Sequence, residues 1–121
     1  MGTELSFSNA TRYWEKDGIA YAILRMPFGH YCGYCAFPQK PVKEESYHGV
    51  LTTVDVHGGI TLAERMGDGM VYGFDCGHWG DAKDPRCKDL DWLSAECERM
   101  AAGILDAAER EDEYMKRWGE E

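Results

Sequence analysis

His57, Asp75, His78 and Asp81 are the residues of this chain whose types and spacing point most directly to chemistry. They lie in Val56-His57-Gly58-Gly59-Ile60-Thr61 and Gly73-Phe74-Asp75-Cys76-Gly77-His78-Trp79-Gly80-Asp81, two glycine-rich segments that read as strand ends. Glycine weakens a strand, so repeated glycine marks a bulge or a place where backbone comes close to a ligand or another strand. Imidazole nitrogens converging with carboxylate oxygens suit a divalent metal such as zinc, manganese or iron, with zinc the expected ion. The same residues also fit a network without metal, in which Asp75 and Asp81 tie down loop amides and the imidazoles orient them.

A second arrangement uses thiolates. Cys32-Gly33-Tyr34-Cys35 has the spacing of half a zinc knuckle, and Cys76, His78 or Cys87 could complete four ligands. The alternative is buried or incidental cysteine, because the second half lacks the matching internal spacing. A redox dithiol at Cys32 and Cys35 lacks the helical pattern that normally follows one. Cys76 and His78 are close enough in sequence to suggest a thiol and its base, yet no oxyanion-hole donor is identifiable. Cys97 fits a helix core, and His30 and His48 fall in polar loops where exposed imidazole is expected.

The elements that must position these groups read as an α+β fold, an antiparallel sheet of about four or five strands with a long C-terminal helix packed on one face. Residues 1–18 form an arm or lead-in strand ending at the turn signal Asp17-Gly18. Strands are expected at Ile19 to Met26, Tyr31 to Phe37, Val50 to His57 and Met70 to Cys76, with Ile60-Thr61-Leu62 following the Gly58-Gly59 interruption. Gln39 to Gly49 reads as a surface connection and Trp79 to Lys88 as a polar loop. Leu90, Leu93, Cys97, Met100 and Ile104 then recur at three- or four-residue spacing, the stripe of a helix over 89–117. Asp89 or Asp91 can cap it, and Glu96, Arg99, Asp106, Glu109 and Arg110 are expected on the opposite face.

The bulk properties agree with one domain over 1–121. The sequence has 44% hydrophobic residues with 4 Trp, 7 Tyr and 4 Phe, enough for a core and unlike a disordered chain. The net charge of −9 argues against a broad nucleic-acid surface and is compatible with a basic partner, although solubility alone also explains it. An odd count of 5 cysteines disfavours a disulfide framework. No long apolar run and no secretory signal are visible, so the expected compartment is the cytosol.

Cys32-Gly33-Tyr34, Val56 to Thr61, Gly73 to Asp81 and Asp89-Leu90-Asp91-Trp92-Leu93 occur in an order that resembles a family of small phage and prophage proteins, over about residues 31–105. The resemblance implies a phage product in the host bacterial cytoplasm, of the kind that counters host defence, including CRISPR nucleases. It implies no catalytic residue. Relatives of this kind usually carry an aliphatic residue at the position of Cys35, which shifts weight from the thiolate pair to His57, Asp75, His78 and Asp81.

The leading expectation is a non-enzymatic anti-defence protein that blocks a host defence protein such as a CRISPR nuclease and carries a bound metal. Neither nucleic acid nor membrane is an expected direct partner. The alternatives are a small metal-dependent hydrolase and a sponge that binds a nucleotide signal in the glycine-lined pocket. Hydrolysis of a phosphate would need cations, and no Lys or Arg lies between Phe74 and Asp81.

Overall fold

A computed structural model describes residues 7–119. Five strands, β1 (Arg12–Lys16), β2 (Ile19–Arg25), β3 (Tyr31–Phe37), β4 (Leu62–Met66) and β5 (Gly69–Asp75), precede a single long helix, α1 (Leu90–Gly119). All pairs are antiparallel and the strand order is β1-β2-β3-β5-β4. The architecture is therefore the expected α+β sheet and helix. Asp17 and Gly18 both take positive φ, 53° and 80°, which matches the right-handed strand twist and makes the tight β1–β2 turn.

The two faces of the sheet are distinct because side chains alternate along each strand. Tyr21, Ile23, Cys35, Phe37, Tyr72 and Phe74 face α1 and pack with Leu93, Cys97, Met100 and Ile104. The helical stripe read from the sequence is thus the buried seam of α1. On the other face Cys32, Tyr34 and Val71 form a smaller cluster covered in part by Phe7, Leu24 and Met26. Gly33 lets the helix sit close, since a Cβ there would lie 2.5 Å from the Phe74 ring and 2.7 Å from Cys97 Sγ.

One expected strand is absent. Val50 to His57 pairs with no strand; Gly49–Thr53 is a short 3-10 turn, and the chain then runs extended to His57. Thr52 Oγ1 donates to Gly49 O and Thr53 Oγ1 to Val50 O, so the hydroxyls close the turn locally. Val50, Leu51, Val54 and Val56 still enter the core, beneath α1. Of the lead-in segment, whose residues 1–6 lie outside the described ones, Arg12–Lys16 forms β1, and the strand not expected is β4, which begins only at Leu62 and runs to Met66.

Two carboxylates of α1 are buried. Glu96, read as an outward residue, is buried because its Oε1 accepts the His57 backbone N–H at 2.9 Å and both its oxygens bind Arg99. Glu111 is buried because it accepts the Lys43 and Glu44 backbone amides, which anchors the 39–49 connection to the helix. Val42 of that connection is buried as well, so the segment is more than a surface link.

Candidate metal centre

The end of the sheet beyond β5 gathers donors from three segments. His57 closes the extended stretch that Glu96 ties to α1, and its ring meets Trp92 edge-on at 5.5 Å. Cys76 follows β5 directly, with its N–H donating to Tyr31 O at 3.0 Å. Asp81 opens a 3-10 turn (Asp81–Lys83) after Gly80, whose φ of 93° makes the necessary reversal. Cys87 lies in a second turn (Pro85–Lys88) that Asp84 caps by accepting the Arg86 N–H. The polar loop read over Trp79 to Lys88 is therefore two ordered turns that direct Asp81 and Cys87 inward.

These turns bring together His57, Cys76, Asp81 and Cys87, whose ligand atoms all lie within 4.8 Å of one another. The cluster could hold a metal ion. His57 Nε2 is 3.1 Å from Asp81 Oδ1 and 3.6 Å from Cys87 Sγ. Cys76, Asp81 and Cys87 are buried and His57 is nearly so.

The sequence-based set of His57, Asp75, His78 and Asp81 is divided by this geometry. His57 and Asp81 belong to the compact group. His78 stands on the other side of Asp81, with Nδ1 and its backbone N–H at 3.1 and 3.0 Å from Oδ2. Asp75 Oδ1 is 3.5 Å from His78 Nδ1 and accepts the Gly77 backbone N–H at 2.9 Å. Gly58 makes room for the His78 ring, because a Cβ there would fall 2.4 Å from His78 Cε1. Asp81 thus joins two imidazoles through its two oxygens, while Asp75 acts as a loop tie.

Cys76 and Cys87 were not grouped with His57 and Asp81 from the sequence. The half-knuckle of Cys32 and Cys35 does not form a site, since these two point to opposite faces of β3 and enter different clusters. Cys76 is the last residue of the strand expected over Met70 to Cys76, and Cys87 falls in the polar stretch of Trp79 to Lys88, so neither position by itself marks a shared site.

Electrostatics suit an anionic donor set with a cation. Burial opposes the charged form of Asp81, but the His78 backbone N–H and the two imidazoles outweigh it and hold the carboxyl below its ordinary range. Burial raises the Cys76 thiol well above its usual value, and the neighbouring Cys87 adds to this. Cys87 is also raised, mainly by burial. A divalent ion reverses the balance for thiols, because it stabilises the thiolate directly.

A cleft of about 350 Å³ opens beside the cluster. It is lined by the buried Cys76, Asp81 and Cys87 and by the more exposed His30, His78 and Lys88. His30 is half-buried there, unlike the exposed imidazole expected of a polar loop. Among the described residues no helix is long and apolar enough to cross a membrane. No protein-family model matches the chain, and no curated protein or solved structure matches it.

Proposed function

We propose that the protein is a zinc-stabilised binding protein rather than an enzyme, and that it acts in a bacterial host by docking on a defence protein. The observation that carries the zinc reading is the closed donor set of His57, Cys76, Asp81 and Cys87. Tetrahedral zinc with bonds of about 2.0 to 2.3 Å requires donors roughly 3.3 to 3.8 Å apart. The 3.1 Å and 3.6 Å separations at His57 are close to that range, and two sulfurs favour zinc over harder ions. Four protein ligands leave no position for a reactive water, which supports a structural role. The ion would join the 50s segment, the end of β5 and the two turns into one unit.

The docking part rests on the net charge of −9, which suits a basic groove, and on the resemblance to phage accessory proteins. A CRISPR nuclease is the partner class named by that resemblance. Elemental analysis of the purified protein tests the zinc reading: the parent should carry one zinc per chain, and Cys87→Ser and His57→Ala should lose it. Asp75→Asn should retain it. A metal-free parent overturns the reading. Salt-dependent, stoichiometric inhibition of a guided nuclease tests the partner, and undiminished cleavage at excess protein rejects that choice.

The cleft beside the cluster favours a second reading, a sponge for a small nucleotide signal, because His30, His78 and Lys88 offer donors to an anion. Calorimetry with a panel of cyclic nucleotides tests it, and absence of heat from every member removes it.

A further inference from the structure

We propose that Cys76 and Cys87 form an oxidisable pair whose closure into a disulfide expels the metal, so that the centre is a redox-sensitive modification site. This inference rests on the zinc reading for its metal step, whereas the pairing itself rests on the fold. The two sulfurs lie within 4.8 Å of each other, and both cysteines line the cleft that leads in from solvent. A disulfide requires about 2.05 Å between sulfurs, so a modest approach of the two segments suffices. The intervening chain can supply it: Gly77 and Gly80 precede two short turns held by local backbone bonds, with no strand pairing between Cys76 and Cys87.

The remaining cysteines make the expected chemistry selective. Cys35 and Cys97 are fully buried between sheet and helix, and Cys32 lies among the residues of the opposite sheet face. None of the three lines the cleft.

Hydrogen peroxide is the oxidant. One zinc-bound thiolate attacks a peroxide oxygen, the O–O bond breaks, and hydroxide leaves while the sulfur becomes a sulfenic acid. The second thiolate attacks that sulfur, forming the S–S bond and displacing a second hydroxide. Two protons convert the hydroxides to water. Both thiolate charges are consumed, so His57 and Asp81 alone remain to hold the ion, and zinc departs.

The test treats zinc-loaded protein with hydrogen peroxide, reads free zinc with a chromogenic chelator and maps sulfur linkages by mass spectrometry. One equivalent of zinc should appear together with one Cys76–Cys87 linkage, and Cys32→Ala should behave like the parent. Zinc retention, release accompanied only by sulfinic acids, or a linkage through Cys32, Cys35 or Cys97 overturns the proposal. Should the parent hold no zinc, the zinc reading fails by itself. Mapping of the metal-free protein then decides the pairing: a Cys76–Cys87 linkage supports it and its absence rejects it.

Discussion

Glu96 Oε1 accepts the backbone N–H of His57 at 2.9 Å, so the helix that covers the sheet also fixes the residue that faces the sulfur and carboxylate donors. The same carboxylate is clamped by Arg99, whose other end reaches Asp55 at 3.0 Å. A buried charge is retained here because it is paired and hydrogen-bonded, and its removal leaves both the amide and the guanidinium short of a partner.

Glu96→Ala should therefore cost about 1 to 3 kcal/mol of stability, the typical penalty for orphaning a buried polar group. It should also weaken metal binding by about 10- to 100-fold, the usual effect of losing a group that supports a ligand. Glu96→Gln keeps an oxygen for the His57 amide and should retain most of both. Urea denaturation and competition with a metal chelator measure the two effects separately. Equal behaviour of the Ala and Gln variants would remove Glu96 from any positioning role.

Alkaline pH should destabilise the fold through buried cysteines outside the His57, Cys76, Asp81 and Cys87 cluster. Burial pushes Cys32 up from 9.0 to about 11, with the Asp75 charge adding. Burial likewise pushes Cys97 from 9.0 to about 12, partly offset by a backbone hydrogen bond. Each folded-state value exceeds the unfolded one, so the stabilisation is complete below pH 9 and is lost as pH rises through 11 to 12. The unfolded chain releases these protons first, at a limiting slope of about 1.4 kcal/mol per pH unit for each thiol. Tyr21, raised to about 12 mainly by burial, acts in the same direction. Denaturant midpoints compared between pH 8 and pH 10.5 should fall for the parent and fall less for Cys97→Ala.

How much of this was legible in the sequence depended on whether the signal was local. Asp17-Gly18, Pro27 and Pro38 punctuate the chain, so β2 and β3 are readable to within a residue. Val50 to His57 misleads because β propensity reports a fit to a half-buried surface, and here that surface is supplied by α1 while Thr52 and Thr53 close a turn. Glu96 lies three residues after Leu93 and four before Met100, on the edge of the stripe, so its burial was geometrically available. Its hydrogen-bond partner was not, because His57 reaches it only through the tertiary fold. The same holds for Cys76 and Cys87, which meet only after two turns have reversed the chain.

Glu111 provides a test of a long-range tie at the other end of the molecule. Its two oxygens accept from Lys43 N at 2.8 and 2.9 Å and from Glu44 N at 3.1 Å. Glu111→Ala should destabilise by about 1 to 3 kcal/mol and accelerate amide exchange at Lys43 and Glu44 more than at β3. Protection unchanged at those two amides would show that Val42 packing and the remaining ties, such as Lys40 N–H to Asp68 O, hold the connection without Glu111.

Gly33 sets how closely α1 approaches the sheet, and its replacement tests whether that distance is fixed. The added Cβ of Gly33→Ala would lie 2.5 Å from Phe74 Cε1 and 2.7 Å from Cys97 Sγ, both within the core. Overpacking of this kind typically costs about 1 to 3 kcal/mol, because buried rings and helix backbone must shift together. Cys97→Ala removes one of the two obstacles and leaves the other. In a double-mutant cycle the pair should therefore be more stable than the sum of the single losses predicts, by a coupling of about 0.5 kcal/mol or more. The Phe74 ring still meets the new methyl, so recovery should be incomplete. Full additivity would mean that Cys97 Sγ is no obstacle and that the Phe74 ring alone carries the constraint.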